Sequence, residues 1–436
     1  MTNDSIHHQV LRLAPSLIAA RRDFHKYAEG GWVEFRTASI VANRLKELGY
    51  ALTLGRNAVK DEYRLGVPSE EVLEAERIRA LEQGADPEMV ALMAGGFTGI
   101  WADMQFGDGN GPRFAMRFDM DANDVTECQE PSHRPASEGF ASVNKGFMHA
   151  CGHDGHTAIG LAVAEMLAGM KDSLRGTVRL IFQSAEEGAR GAYGMMTAGC
   201  VAGFDFFVGV HIGFKASRKG MVICGVSGLL ASVKMDAHYT GKSAHAGAAP
   251  QDGKNALLAA CAATTNLHAI PRHGDGATRV NVGKLRGGQG RNVIPPEALV
   301  SFEVRGATNN LNEYMEKEAR RVVLAAADMW DCGCEIKVMG SCGNSTSDRE
   351  ITNRAMAVAQ KVAAYDTILG IEDFGAGEDV SHMMEYVQKH GGQATFIQLG
   401  TDKAAGHHND RFDFDDTDLV PAVEMLALLT RDYLGT

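Results

Sequence analysis

The sequence lacks long apolar runs, basic clusters and a leader pattern, and each absence excludes a class of protein. No stretch of its 436 residues approaches the ~20 consecutive apolar residues that span a bilayer, so a membrane span is excluded. Residues 1–10 are polar, without a basic region followed by an apolar one, and we expect a cytoplasmic protein. No local excess of lysine or arginine offsets the net charge of −12, whose field repels phosphate backbones. We therefore expect no nucleic-acid partner.

Cysteine is not arranged for cross-linking. The eight cysteines are scattered along the chain, which favours reduced thiols over a disulfide framework. The length favours two or three domains, because a single hydrophobic core stops growing near ~250 residues. The composition is that of an ordinary globular protein with more than one core.

The first part of the chain alternates helix and strand patterns. Apolar residues at helical spacing predict helices over residues 12–27 and 38–48, and a polar helical excursion over 70–93 has the composition of a surface insertion. The runs 97–106 and 113–120 are separated by a segment rich in glycine and aspartate, which predicts a hairpin.

The pattern changes near residue 225. The order from there is strand, helix, strand, strand, helix, strand, which predicts a ferredoxin-like unit inserted over residues 225–340. Residues 1–224 and 341–436 then form one discontinuous α/β domain, since the helix and strand pattern of the first part returns in the last.

The segment 149–156 concentrates side chains that ligate metals. Cys151 and His153 are separated by one glycine, so a turn could point both at one ion, and a thiolate with an imidazole suits a borderline metal. A buried cysteine beside a helix-capping histidine is the alternative, at even odds for the pair alone.

Acids and histidines recur where predicted strands end. Glu186 and Glu187 follow one strand, His211 ends another, and the pair His407 and His408 follows a third. Neighbouring backbone positions aim Glu186 and Glu187 in different directions, so one can ligate a metal while the other stays free as a base. Each feature alone is more often structural, but recurrence at the strand ends of one sheet favours a shared site.

Other polar residues are candidates for supporting roles. Asp121, after a strand, could orient a metal-bound histidine by accepting its second ring N–H, although an ordinary turn aspartate is equally compatible. In the inserted domain, the loops that carry His245 and Asn292 place polar groups among small residues and suit an anionic ligand. Arg305 could bind a carboxylate through two hydrogen bonds, with a surface salt bridge as the alternative.

These pieces, in this order, resemble a family of dinuclear-metal aminoacylases and carboxypeptidases that includes glutamate carboxypeptidases, hippurate hydrolases and auxin-conjugate hydrolases. The resemblance covers nearly the whole chain and is carried by residues 31–37, 132–135 and 149–157. It implies a mixed-sheet, zinc-exopeptidase-like catalytic domain of the α/β class, with an inserted ferredoxin-like α+β domain that serves as a lid or in dimerisation.

The resemblance also implies residue roles. The implied metal ligands are Cys151, His153, Glu187, His211 and His408. His408 is preferred to His407 because the family's ligand segment matches residues 408–414. Glu186 would be the general base, and His245 would stabilise the oxyanion in the active site of a partner subunit. Asn292 and Arg305 would hold a substrate carboxylate.

The implied activity is hydrolysis of the amide bond of an N-acyl amino acid. The expected substrate is p-aminobenzoyl-glutamate, and the expected cofactor is two divalent ions per subunit, with manganese preferred and zinc or cobalt as alternatives. The implied assembly is a homodimer or a heterodimer with a related B-type subunit. Two alternatives remain open, namely a broader N-acyl-amino-acid or hippurate-type amidohydrolase and a catalytically silent subunit that supports a related partner.

Overall fold

The computed structural model describes residues 2–435. The strands are β1 (Ala51–Leu54), β2 (Ile100–Phe106), β3 (Arg113–Asp119), β4 (Gly176–Gln183), β5 (Phe206–Ile212), β6 (Met221–Ser227), β7 (Ala231–Thr240), β8 (Thr278–Gly287), β9 (Glu297–Gly306), β10 (Gly333–Cys342), β11 (Thr367–Asp373) and β12 (Gln393–Leu399). The helices are α1 (Asn3–Lys26), α2 (Phe35–Glu47), α3 (Glu70–Glu82), α4 (Pro87–Leu92), α5 (Arg134–Ser137), α6 (His153–Ala168), α7 (Ala192–Ala198), α8 (Ala256–His268), α9 (Asn309–Met329), α10 (Arg349–Ala359), α11 (Val380–Lys389) and α12 (Leu419–Leu434).

The chain folds as two compact units. The first takes Met1–Ser227, Ser345–Gly375 and Asp379–Thr436, and the second takes Gly228–Asn344 and Ala376–Glu378. The three-residue segment belongs to the second unit because the Leu230 N–H donates a hydrogen bond to the Ala376 carbonyl at 3.1 Å. None of the helices within residues 2–435 combines the length and the apolar character needed to cross a membrane.

The first unit is built on an eight-stranded mixed sheet in the order β1-β2-β4-β3-β5-β12-β6-β11. Four neighbouring strands, β4, β3, β5 and β12, run parallel, so their carboxyl ends meet at one edge. β5 and β12 are buried almost without alternation, as expected for parallel strands covered on both faces. This edge is where an α/β sheet of this kind places a binding site.

The hairpin predicted over residues 97–120 is wrong. β4 lies between β2 and β3, antiparallel to the first and parallel to the second. The turn-rich segment allows the chain to reverse direction but does not decide which strands pair. β4 is buried along nearly its whole length, and the position between two other strands buries it best.

The second unit carries a four-stranded antiparallel sheet in the order β10-β7-β9-β8. Alternate side chains of β9 are buried, which leaves the opposite face of the strand only partly covered. The buried side chains pack with α8 and α9 in one core. The order of elements is β-α-β-β-α-β, so the predicted ferredoxin-like α+β unit within an α/β protein is confirmed.

Candidate metal centre

The candidate site gathers at the carboxyl ends of the parallel strands. Asp119 ends β3 and Ser184 follows β4 directly, while His211 is the penultimate residue of β5. His408 comes nine residues after the end of β12. Polar side chains that are far apart in sequence thus reach one edge of the sheet.

The turn before α6 presents two of the predicted ligands. Gly152 has φ 91°, a left-handed conformation that a side chain would strain, and it reverses the chain between Cys151 and His153. His153 is the first residue of α6 and is fully buried, and Cys151 is 4% exposed. The spacing of one glycine therefore does allow both side chains to point into one site.

Two groups of potential ligands share the cysteine. Cys151, His153 and His211 offer ligand atoms within 4.8 Å of one another, and the same limit holds for Cys151, Glu187 and His408. In the first group, Cys151 Sγ lies 3.4 Å from His211 Nε2. In the second, His408 Nε2 lies 3.4 Å from Glu187 Oε1. All five predicted ligands are therefore close together, with the Cys151 sulfur common to both groups.

Main-chain carbonyls fix the tautomers of two histidines. His153 Nδ1 donates to the Asp121 carbonyl at 2.8 Å, and His211 Nδ1 donates to the Ile212 carbonyl at 2.8 Å. Because a carbonyl can only accept, each Nδ1 carries a proton, and the neutral ring keeps a lone pair on Nε2. His211 Nε2 is the atom that lies 3.4 Å from Cys151 Sγ.

The electrostatics of the site favour a cation. Burial and the Glu187 carboxylate raise the pKa of the Cys151 thiol, so a thiolate at this position needs positive charge beside it. Hydrogen bonds to Cys151 and Glu187 raise the pKa of His408 to about 10. Burial lowers the pKa of His211 well below its ordinary value, so this ring is a neutral ligand.

The residues fit a bound metal ion on a second ground. His153 Nε2 is buried and has no hydrogen-bond partner within residues 2–435. A buried polar atom without a partner costs about 1–3 kcal/mol, and this one belongs to a side chain of the first group. A set of one thiol, three imidazoles and one carboxylate suits a borderline divalent ion.

Two buried carboxylates, Glu34 and Asp121, which we call the carboxylate clamp, hold the loop after β4. Glu34 accepts the Ala185 N–H at 2.7 Å, and Asp121 accepts the N–H groups of Glu186 and Glu187, each at 2.9 Å. Three successive donors of one loop are thereby fixed. Glu186 Oε2 lies 4.0 Å from His153 Nε2, so the predicted base borders the ligand groups.

Asp121 contacts His153, as the sequence suggested, but through a different atom. Its carbonyl, rather than its carboxylate, accepts the ring N–H of His153, because the carboxylate is occupied by the loop. A second carboxylate supports a different ring. Asp119 accepts from His156 Nδ1, and His156 Nε2 accepts the Ile212 N–H at 2.8 Å. His156 therefore ties the end of β5 to α6.

A buried ionic network anchors the motif to α1. Arg21 pairs with Asp154 at 2.8 Å, and His25 bridges Asp154 and Glu127 at 2.8 and 2.9 Å. The Arg21 and Asp154 side chains are fully buried. Breaking a pair of this kind leaves an uncompensated charge, so the network fixes the start of α6 relative to the first helix.

The neighbouring residues His407 and His408 make different contacts. His408 lies beside Glu187, whereas His407 Nε2 donates to the Ile212 carbonyl at 3.1 Å, the same oxygen that accepts from His211. The ring of His407 stacks on Phe214 with centroids 4.5 Å apart. Burial lowers the pKa of His407 to about 4, so it is a neutral donor.

The predicted residues of the second unit lie on neighbouring loops or on its sheet. His245 Nδ1 accepts the N–H groups of Gly247 and Ala248 at 3.2 and 3.0 Å. The loops that carry His245 and Asn292 are joined because the Asn292 carbonyl accepts the Ala246 N–H. Arg305 binds the Glu303 carboxylate of the same strand through Nε and Nη2, at 3.0 and 3.1 Å.

Comparison with other proteins places this arrangement in a family. The family model described as Peptidase family M20/M25/M40 matches residues 115–432, which include most of β3, all of β4 to β12 and all five potential ligands. The chain belongs to this family. The family predicted from the sequence is confirmed, and the chain is a metallo-amidohydrolase of the M20 type.

Individual relatives extend the match to the whole chain. The A-type subunit of p-aminobenzoyl-glutamate hydrolase from Escherichia coli (strain K12) is 49% identical over 99% of both chains. The indole-3-acetyl-aspartic acid hydrolase of Enterobacter agglomerans is 47% identical over 97% of both. The crystal structure of the aminobenzoyl-glutamate utilization protein from Klebsiella pneumoniae is 38% identical, with a TM-score of 0.86 over 99% of this chain and 98% of that one.

Some residues that shape the site give no sequence signal of their own. Glu34 lies in the stretch 31–37 that carries the family resemblance, but nothing in its spacing assigns it to a loop 151 residues away. Asp379 accepts the N–H groups of Gly191 and Ala192, at 3.2 and 3.0 Å, at the start of α7. An acid just before a helical pattern could have suggested a cap, but not for a helix elsewhere in the chain.

Proposed function

We propose that this protein is a metal-dependent hydrolase that cleaves p-aminobenzoyl-glutamate to p-aminobenzoate and glutamate. The observation that carries the proposal is the convergence of four potential ligands, His153, His211, Glu187 and His408, on Cys151 beside the carboxylate of Glu186. The names of two close relatives support the substrate class, since both act on an aromatic acyl group joined to an acidic amino acid. Indole-3-acetyl-aspartate is the second candidate substrate on the same ground.

We assign two divalent ions to the centre. One would be held by Cys151, His153 and His211, and the other by Cys151, Glu187 and His408. Manganese is the first candidate, with zinc and cobalt as alternatives, because mixed sulfur, nitrogen and oxygen ligation tolerates several metals. The chemistry that such ions supply is Lewis acidity, which polarises an amide carbonyl and lowers the pKa of water towards ~7.

The protein's own groups would move the proton. Glu186, held by the carboxylate clamp, accepts a proton from the attacking water and returns it to the leaving nitrogen. The main-chain hydrogen bonds of Glu186 and Glu187 fix the backbone from which both side chains start, and the two carboxylates and His153 offer ligand atoms within 4.8 Å of one another. Base and ligand are thereby held by a single acceptor, Asp121.

The second unit would contribute the oxyanion donor and a lid. His245 Nδ1 accepts two backbone N–H groups, so in the neutral ring Nε2 carries the proton and can donate to an oxyanion. We propose that it acts on the active site of a partner subunit, in a homodimer or in a heterodimer with a related B-type chain. A close relative is named as one subunit of a hydrolase, which supports an assembly. Asn292 and Arg305 are proposed substrate-binding residues on the same unit.

Replacing the proposed base separates chemistry from metal binding. Glu186→Gln should retain the metal and lower kcat by about 10²- to 10⁴-fold, because general-base catalysis is lost while the potential ligands stay. Release of p-aminobenzoate and metal content would be measured on the same preparation. The matched variant is Glu187→Gln, one residue on, which should lose metal as well as activity. Near-normal turnover of Glu186→Gln would contradict the assignment.

The substrate itself is tested with the purified chain, alone and with a candidate partner. Turnover of p-aminobenzoyl-glutamate should exceed that of hippurate and should be abolished by a chelator. Preference for hippurate would favour a broader amidohydrolase. The chain can also be mixed with a partner whose own base has been replaced, so that the partner is inactive. If the chain is inactive alone but fully active in this mixture, it is catalytic only in the assembly.

A further inference from the structure

Lys403 is a half-buried cation beside the candidate centre that has no acidic partner. No carboxylate within residues 2–435 comes within the 4.0 Å of an ion pair to its ammonium. Other basic side chains of the first unit are paired: Arg117 pairs with Asp119 at 2.6 Å, and Lys219 pairs with Asp415 at 2.9 Å. The Lys403 ammonium has no such carboxylate partner in the described part of the chain.

The backbone of Lys403 is fixed near the centre. Lys403 forms an isolated β-bridge with Phe414, and the next N–H, that of Ala404, donates to the Asp413 carbonyl at 2.9 Å. The segment lies between β12 and His408. The side chain begins from an ordered position in the loop that delivers a potential ligand.

The stem of the side chain packs at the end of β5. Gly213, two residues after His211, has φ 81°, and a Cβ atom there would lie 3.1 Å from Lys403 Cδ and 2.9 Å from the ring of His407. The missing Cβ provides the space in which the lysine stem lies against the backbone. Burial lowers the pKa of Lys403, and Cys151 is the acidic group that opposes this shift. The ammonium is therefore within electrostatic range of the shared sulfur.

An unpaired ammonium in this position calls for an anion. A partly desolvated charge without a counter-ion is unfavourable, and a neighbouring divalent cation would make it more so. Arg305, the residue predicted to bind a substrate carboxylate, already binds Glu303 through two of its nitrogens. Among the residues that the structure describes, Lys403 is thus a cation without a carboxylate partner, in contrast to Arg305.

We infer that the Lys403 ammonium binds a carboxylate of the amino acid that the reaction releases. This inference rests on the proposed function, because that function supplies the anionic substrate. The ligand carboxylate has two sources, the α-carboxylate and the side-chain carboxylate of the amino acid. Both would be neutralised by the same ammonium.

The test compares three substrates on three proteins. The substrates are p-aminobenzoyl-glutamate, p-aminobenzoyl-glutamine, which lacks the side-chain charge, and 4-(p-aminobenzamido)butanoate, which lacks the α-carboxylate. The proteins are the unmodified chain, Lys403→Met and the control Lys171→Met, whose exposed lysine lies past the far end of α6 and has no ion pair within residues 2–435. Lys403→Met should lower kcat/KM for the glutamate conjugate by about 10- to 100-fold, mostly through KM.

The pattern of losses identifies the carboxylate. Loss on the glutamate and butanoate compounds, with the glutamine compound unchanged, assigns Lys403 to the side-chain carboxylate. Loss on the glutamate and glutamine compounds, with the butanoate unchanged, assigns it to the α-carboxylate. Equal values for Lys403→Met and Lys171→Met on all three compounds would overturn the inference.

Equilibrium binding keeps this inference distinct from the proposed function. Titration calorimetry of the same compounds on metal-free and metal-loaded protein reports binding without turnover. If the loaded protein cleaves none of them but binds the glutamate conjugate less tightly after Lys403→Met, the proposed function fails and the inference stands. If the unmodified protein binds none of the conjugates, the inference is overturned.

Discussion

At the scale of single residues, the backbone of Ala185 has φ 51°, a left-handed conformation that costs a residue with a side chain about 1–2 kcal/mol. The strained residue directly precedes the proposed base. Glu34 accepts its N–H and also the hydroxyl of Thr98, at 2.5 Å. Burial and the Asp121 carboxylate raise the pKa of Glu34 to about 8. A buried acid thus stabilises a strained turn that sets the direction of Glu186.

Two substitutions of Glu34 distinguish its geometry from its charge. Glu34→Gln can still accept the Ala185 N–H through its oxygen and can donate to the Thr98 hydroxyl through its nitrogen, so kcat should stay within a few-fold. Glu34→Ala removes both contacts, and we expect kcat to fall by about 10²-fold, because small displacements of a reacting group carry costs of this size. Steady-state kinetics with a parallel metal assay measures both variants.

Two outcomes for the Glu34 variants would contradict the positioning role. Equal losses for the glutamine and alanine variants would mean that the ionised carboxylate, rather than its position, matters. A full loss of bound metal in Glu34→Ala would show that the clamp acts on Glu187 instead of Glu186. Retained metal with low kcat and unchanged KM would support the positioning role.

At the scale of elements, the start of α2 depends on a residue outside the helix. Its N-cap makes no side-chain hydrogen bond, and the Glu29 carboxylate accepts the N–H groups of Arg36 and Thr37, at 2.9 and 2.8 Å. A carboxylate at this end also interacts favourably with the helix dipole. Burial outweighs these contacts and raises the pKa of Glu29 to about 7.

The raised pKa of Glu29 predicts a pH dependence of stability. An acid whose pKa is higher in the folded state contributes most below its ordinary pKa of about 4.5 and loses that contribution as pH rises towards 7. The free energy of unfolding of the unmodified protein should therefore fall, relative to Glu29→Gln, between pH 5 and 7.5. The change over this range should be about 2 kcal/mol. Urea unfolding of both proteins across this range measures it, and a constant difference would refute the shift.

Elements with a visible period were predictable, and their pairing was not. The antiparallel sheet of the second unit is covered on one face, and buried and less buried side chains alternate along β9. The order of elements in this unit was predicted correctly. β11 shows no alternation of burial and was missed. The insertion of β4 between β2 and β3 follows from burial across the whole sheet, which no local pattern contains.

The residues of the candidate site likewise fall into those that the sequence indicates and those that only the fold reveals. Cys151 and His153 could be proposed as ligands because their residue types stand out within one short motif, whereas His408 was preferred to His407 only through the family resemblance. Glu34 and Lys403 were not predictable, because each acts on a partner that the fold brings near. A carboxylate that holds a loop, or an ammonium that lacks an acid, is recognisable only after the surrounding charges have been located in space.

At the scale of the whole molecule, the potential metal ligands all lie in one of the two units. Cys151, His153, Glu187, His211 and His408 all belong to the first unit. A ligand that binds only the folded state stabilises it by about 2.7 kcal/mol at a concentration 100 times its dissociation constant. Metal binding should therefore stabilise the first unit and leave the internal stability of the second unchanged.

Hydrogen exchange with and without a chelator measures this difference along the chain. Added metal should slow exchange in peptides that cover the turn before α6, the loop after β4 and the end of β5, while peptides from β8 and α9 should exchange as before. The control is Cys151→Ala, which removes the ligand common to both groups and should abolish the protection. Because the chain carries a net charge of −12, weak binding of cations to surface acids is expected as well, and it would persist in Cys151→Ala. Protection that survives this substitution, or that extends equally to β8, would place the metal elsewhere than at the shared cysteine.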